Sequence, residues 1–89
     1  MPERVVTIVP EDGLHARPAS KFVEAANGFD SEIQVGHVDG ESVNAASMLA
    51  VTGLGAASGD EVRLSAEGED AEAALDELER ILTTPEDEL

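Results

Sequence analysis

The stretch Val5-Val6-Thr7-Ile8-Val9-Pro10-Glu11-Asp12-Gly13-Leu14-His15-Ala16-Arg17-Pro18-Ala19 changes its pattern partway along, and that change decides the fold. Val5 to Val9 is β-branched at every position and stops at Pro10, which predicts a strand. Glu11-Asp12-Gly13 predicts a turn. From Ala16 onward the period becomes helical: Ala19, Phe22, Val23 and Ala26 fall at i, i+3, i+4 and i+7. Pro18 fits the first turn of that helix, where its missing N–H costs nothing, and Asn27-Gly28 stops it.

Working outward, Ile33 and Val35 alternate with Glu32 and Gln34 as a second strand. Asp39-Gly40 is a hairpin signal, with the return strand through Ser42-Val43-Asn44. Ser47 is placed to cap a short helix, Met48 to Thr52, closed by Gly53. Val62, Leu64 and Ala66 alternate with Glu61, Arg63 and Ser65 as a fourth strand. Asp70 then precedes a helix with the stripe Ala71, Ala74, Leu75, Leu78 and Leu82, and is expected to cap it.

The order β-α-β-β-α-β-α predicts an α+β fold: a four-stranded, mainly antiparallel sheet with one wet face and three helices on the other. At 89 residues the chain is expected to be one domain, 1–89, with 83–89 a frayed tail. A domain this small lacks room for a deep enclosed active site, so its chemistry belongs near the surface.

Composition removes several function classes. Without cysteine there are no disulfides, thiolate metal sites or thiol nucleophiles. Twenty acidic residues against five Lys and Arg give a net charge of −15, which argues against a nucleic-acid partner. No apolar run approaches the roughly 20 residues of a membrane span, and Met1-Pro2-Glu3-Arg4 lacks the features of a secretory signal. A cytoplasmic protein without membrane insertion is expected. Lys21 is the only lysine. An acidic, lysine-poor surface suits a salt-rich cytoplasm, because the screening length falls to about 3 Å at molar ionic strength.

Gly13-Leu14-His15-Ala16-Arg17-Pro18-Ala19 sets a histidine at the seam between a turn and a helix N-terminus. Unpaired backbone N–H groups and the helix dipole make such an end an anion site. Arg17 adds a guanidinium whose planar fork matches a phosphate. Both features favour the neutral imidazole, which keeps a nucleophilic ring nitrogen. Phosphoryl transfer needs mainly positioning and charge neutralisation, so this small set suffices for a phosphohistidine. His37 has no second ligand at metal spacing and is read as inert; no metal or cofactor is expected.

This heptapeptide resembles the active-site motif of the histidine-containing phosphocarrier family of the phosphoenolpyruvate-dependent sugar phosphotransferase system. Val43-Asn44-Ala45-Ala46-Ser47-Met48-Leu49-Ala50-Val51 resembles the family's second motif, and Ser65-Ala66-Glu67-Gly68-Glu69-Asp70 its last turn. The similarity runs from about Arg4 to Leu82. It implies an open-faced β-sandwich and a monomeric, stoichiometric carrier rather than a turnover enzyme. It further implies phosphorylation of His15 at Nδ1 with Arg17 as partner, enzyme I as donor and a sugar-specific enzyme IIA as acceptor.

Ser20, Met48, Leu49 and Thr52 are then candidate partner contacts, and Ser47 a candidate regulatory phosphosite. Gram-positive members that use that serine usually carry lysine before it, whereas this chain has Ala46, and the cap role accounts for Ser47 alone. Two rivals remain at this stage. One is a regulatory binding module on the same fold, for which His15 and Arg17 would be unnecessary. The other is a carrier serving a dihydroxyacetone kinase or a nitrogen-regulatory branch.

The charge balance makes a first prediction. The melting temperature should keep rising with KCl well beyond ~0.15 M, where long-range surface repulsion is already largely screened. A thermal melt that is flat or falling between low and molar KCl would remove the halophilic reading.

Overall fold

The computed structural model describes residues 2–89. Its elements are β1 (Glu3–Thr7), α1 (Ala16–Asn27), β2 (Glu32–His37), β3 (Val43–Asn44), α2 (Met48–Gly53), β4 (Glu61–Glu67) and α3 (Ala71–Leu82). The strands form one antiparallel sheet in the order β1-β4-β2-β3. This is the expected open-faced sandwich.

The register explains the two faces. Val6 stands opposite Val62, Val35 opposite Leu64, and Ile33 opposite Ala66, and all six are buried. The intervening residues, among them Glu3, Val5, Thr7, Glu32, Gln34, Glu61 and Glu67, face solvent. Helices α1 and α3 pack side by side over the apolar face, with Ala19, Phe22 and Ala26 from one and Ala74, Leu75, Leu78 and Leu82 from the other. Short α2 packs beside α1 and β3, held through Val51. With only two aromatic residues in the chain, Phe22 is the largest side chain in a core of aliphatics.

Arg4 lies on the helix-covered face but at the sheet edge, where its guanidinium reaches across to α3. It meets Glu72 at 3.3 Å, Asp76 at 2.6 Å and Glu79 at 3.0 Å. Single exposed pairs contribute little, but one fork serving three carboxylates at successive turns forms a network that fixes β1 against α3.

Three local expectations are corrected. The first strand runs Glu3–Thr7 rather than Val5–Val9, because its partner β4 begins at Glu61, opposite Thr7. Ile8 bonds instead to the turn before β4, donating to the Asp60 carbonyl at 2.9 Å. Val9 donates to the Leu82 carbonyl at the end of α3, also at 2.9 Å. The tail expected to fray carries a 3-10 turn, Glu86–Glu88, and Leu89 packs against the core.

The third correction concerns Asp70. It stands at the N-cap of α3, yet its side chain makes no cap bond. The carboxylate reaches across to the α1–β2 connection, accepting from the amides of Asp30 (2.8 Å) and Ser31 (2.9 Å) and from the Ser31 hydroxyl. Gly68 makes this approach possible: its φ is +150°, and a β-carbon there would overlap Ser31. The Ser31 hydroxyl first, then the Asp30 amide, hold the Asp70 carboxyl below the ordinary carboxylate range. A lowered folded-state value means the carboxylate stabilises the fold above the unfolded value. That stability is lost as pH falls through the folded one. Asp70→Asn turns an amide NH2 toward donors, so it should lower the melting temperature at neutral pH. The gap to wild type should narrow as pH drops below the ordinary carboxylate range. Melting curves for both proteins from pH 7 to pH 2 provide the check, and a gap independent of pH would contradict it.

Candidate functional site

The seam between β1 and α1 is fixed from below. Gly13 donates to the Pro10 carbonyl at 2.9 Å, closing the predicted turn, and Leu14 donates to the Ala56 carbonyl at 2.9 Å. Gly13 has φ +76°, and a β-carbon there would overlap the Ala56 carbonyl oxygen and crowd the Ala57 Cα. The turn therefore lies flush on the segment that follows α2, a closeness only glycine permits. Leu14 is buried in the core. Asp12 is exposed in this turn, consistent with a turn-forming role.

His15 comes next and is exposed, because the preceding side chain points inward and the following residues open the helix. It occupies the N-cap of α1 in extended conformation, with no bond from its ring to the helix. Its own amide donates to the Gly13 carbonyl at 3.0 Å. The amides of Ala16 and Arg17 precede the first helical hydrogen bond and have no partner among the described residues. Pro18, third in the helix, has none to offer. Two unpaired amides thus stand adjacent, directly after the histidine.

Ala16 carries a feature the sequence did not signal. Its φ is +50°, in the left-handed region, and among the described residues it is the only non-glycine there. Such a conformation costs an alanine about 1–2 kcal/mol. Burying Leu14 contributes about 1.5–3 kcal/mol, enough to offset it. The strained residue lies directly between the exposed His15 and Arg17.

Arg17 is exposed one residue further on and makes no ion pair within 4 Å among the described residues. It lines a shallow cleft with Glu11, Asp12, Glu86 and Asp87. The remaining sequence candidates divide between two helices. Ser20 is exposed on α1. Met48 and Leu49 are exposed on α2, 41% and 85%, which removes the reading of either as core. Thr52 is half-buried, its hydroxyl donating to the Met48 carbonyl at 2.8 Å. Ser47 accepts from the Ala50 amide at 3.2 Å, the expected cap. Asn27, at the end of α1, donates to the Ala46 carbonyl at 3.2 Å and so ties the two helices together. His37 is engaged elsewhere, its Nε2 2.9 Å from the Leu54 carbonyl oxygen. Among the described residues, no group of three or more His, Asp or Glu side chains is placed to hold a metal ion.

These parts define a class: a small open-faced sandwich whose single exposed histidine opens a helix, with unpaired amides and an arginine beside it. The model of the PTS-HPr family, described as the PTS HPr component phosphorylation site, matches residues 2–84, and the chain belongs to that family. It is 69% identical over 85 residues to a phosphocarrier protein HPr of Haloferax volcanii, covering 94% of this chain and 96% of that one. It is 48% identical over 89 residues to the phosphocarrier protein HPr of Streptomyces coelicolor, covering 100% and 96%. A crystal structure of HPr-C-His from Thermoanaerobacter tengcongensis superposes with a TM-score of 0.87 at 43% identity, covering 92% of this chain and 91% of that one.

Proposed function

We propose that this HPr chain carries its phosphoryl group on His15, with Arg17 and the first amides of α1 holding the phosphoryl oxygens. The observation that carries the reading is the exposed N-cap histidine followed by two amides and an arginine that, among the described residues, have no hydrogen-bond or ion-pair partner.

Transfer follows from that geometry. The lone pair of the neutral ring nitrogen, taken as Nδ1, attacks phosphorus while the bond to the donor breaks, and the departing donor atom keeps its electron pair. The three phosphoryl oxygens gather negative charge at the point where the Ala16 and Arg17 amides, the positive end of the helix dipole and the Arg17 fork converge. None of these groups needs to be desolvated from a buried pocket first. The same openness lets an acceptor approach from the side the donor has left, so discharge reverses the steps. Enzyme I is the donor and a sugar-specific enzyme IIA the acceptor. The exposed Met48 and Leu49 supply an apolar patch for docking, with Ser20 and Thr52 as further contacts.

The chain acts as a stoichiometric, monomeric carrier rather than a turnover enzyme. A binding module without transfer would need neither the strained seam at Ala16 nor an unpaired Arg17. Regulatory phosphorylation at Ser47 is disfavoured, since its hydroxyl is committed to the Ala50 amide and Ala46 precedes it. The acidic composition and the Haloferax relative support a salt-rich cytoplasm. No helix among the described residues is long and apolar enough to cross a membrane.

Incubation with enzyme I and phosphoenolpyruvate should add one acid-labile, base-stable phosphoryl group, read by intact mass. His15→Ala should abolish it and His37→Ala should leave it intact; label persisting without His15 would end the assignment. Arg17→Lys keeps the charge but loses the fork and should slow transfer moderately. Arg17→Ala should slow it by about ten- to a thousandfold, as for loss of one strong oxyanion contact, with little change in melting temperature.

A further inference from the structure

The Ala56 carbonyl that accepts from Leu14 sits in a loop, so whatever fixes the loop fixes the seam before α1. The loop runs from Leu54, the C-cap of α2, to Asp60, just before β4. Its far end is tied to the residue after β1. Gly59 donates to the Ile8 carbonyl at 2.8 Å, and Ile8 to the Asp60 carbonyl at 2.9 Å. Its near end is tied by a side chain. His37 Nε2 lies 2.9 Å from the Leu54 carbonyl oxygen. Among the described residues, this is the one side-chain hydrogen bond that reaches residues 54–60 from outside the loop.

A carbonyl oxygen only accepts, so Nε2 carries the proton, in the neutral ring and in the charged one alike. The bond therefore holds whatever the charge on the imidazole. The histidine is itself anchored. It is the last residue of β2, paired with Val62 on β4, and its carbonyl accepts from Gly40 at 3.0 Å. Gly36 lies flush on the returning chain, where a β-carbon would overlap the Glu41 carbonyl oxygen. Arg63 on β4 donates to the Val38 carbonyl at 3.1 Å. The sheet holds the histidine, and the histidine holds the loop.

Only the exposed Gly55 separates Leu54 from Ala56, and it has no side chain to pack. Leu54 and Ala56 contribute apolar contacts with the core, but such contacts are non-directional and do not aim a carbonyl. The bond from His37 does. We propose that His37 is a positioning residue for the transfer site. By holding the Leu54 carbonyl it sets the Ala56 carbonyl and, through the Leu14 amide, the direction in which His15 and the first amides of α1 point. The proposal rests on His15 as the residue that bears the phosphoryl group. Transfer requires the ring nitrogen to be aligned with phosphorus, and a displacement of about 1 Å can cost on the order of a hundredfold. Losing one support of several shifts the seam by less. Helix α2 is secured separately, by the Ser47 cap, by buried Val51 and by the Asn27 bond to the Ala46 carbonyl. Met48 and Leu49 therefore keep their places when His37 is lost.

The test is single-turnover transfer from phosphorylated enzyme I over a range of chain concentrations, well below each variant's melting temperature. It separates the maximal rate from the half-saturating concentration. His37→Ala should still reach full phosphorylation, but with a maximal rate about three- to tenfold lower and half-saturation within about twofold of wild type. His37→Gln places an amide nitrogen as many bonds from Cβ as Nε2 is, and should restore the rate to within about twofold. The Leu14 amide proton should move upfield in His37→Ala, as its bond to Ala56 lengthens, and return in His37→Gln. Asp70→Asn, which loosens the α1–β2 connection instead, controls for stability and should transfer at the wild-type rate. In His37→Ala, an unchanged maximal rate, a loss confined to half-saturation, or an unmoved Leu14 amide overturns the proposal. So does a rate that His37→Gln fails to restore, or an equal loss in Asp70→Asn. A wild-type chain that gains no phosphoryl group on His15 overturns the transfer site, and the proposal falls with it.

Discussion

The bond from the Leu14 amide to the Ala56 carbonyl, with Gly13 flush against the same group, is the constraint on which the site depends. It joins the end of β1 to the segment leading into β4, so the first helix can begin at only one place. Leu14 goes into the core and His15, by alternation, goes out. The strained Ala16 then starts α1 at once, and the first two helical amides follow directly after the imidazole. Two unpaired amides are presented beside the imidazole here without any buried polar machinery. A chain of 89 residues can supply that, where an enclosed pocket would exceed its core.

Charge distribution separates scaffold from site. The scaffold uses its arginines in fixed pairs: Arg4 bridges the sheet edge to α3, Arg63 pairs across strands with Glu3, and Arg80 pairs along the helix with Glu77. The site keeps its arginine available. In a chain of net charge −15, its guanidinium is in no ion pair among the described residues although four carboxylates line the same cleft.

Much of this was legible in the sequence because it rests on periodicity and on local rules. The alternation of Ile33 and Val35, and of Val62, Leu64 and Ala66, placed the sheet's inner face, and the stripes on α1 and α3 named the residues that cover it. Ser47 capped its helix as its chemistry predicts. What escaped depends on tertiary neighbours. Asp70 looks like a cap, yet a loop 40 residues earlier offers its carboxylate better donors. The end of β1 depends on where β4 starts. The last turn is acidic and reads as frayed until the groove that takes Leu89 is known. The left-handed backbone at Ala16 has no signature in the residue itself, since glycine, asparagine and aspartate are the residues that signal it.

The central claim is that the helix end after His15 binds the phosphoryl group as the ring carries it. It is tested most directly by nitrogen NMR of the uniformly 15N-labelled, phosphorylated protein. The account predicts a one-bond phosphorus–nitrogen coupling at Nδ1 of His15, together with downfield movement of the Ala16 and Arg17 amide resonances. Phosphorus coupled to a nitrogen of another residue, or amides at Ala16 and Arg17 unmoved by phosphorylation, would contradict it.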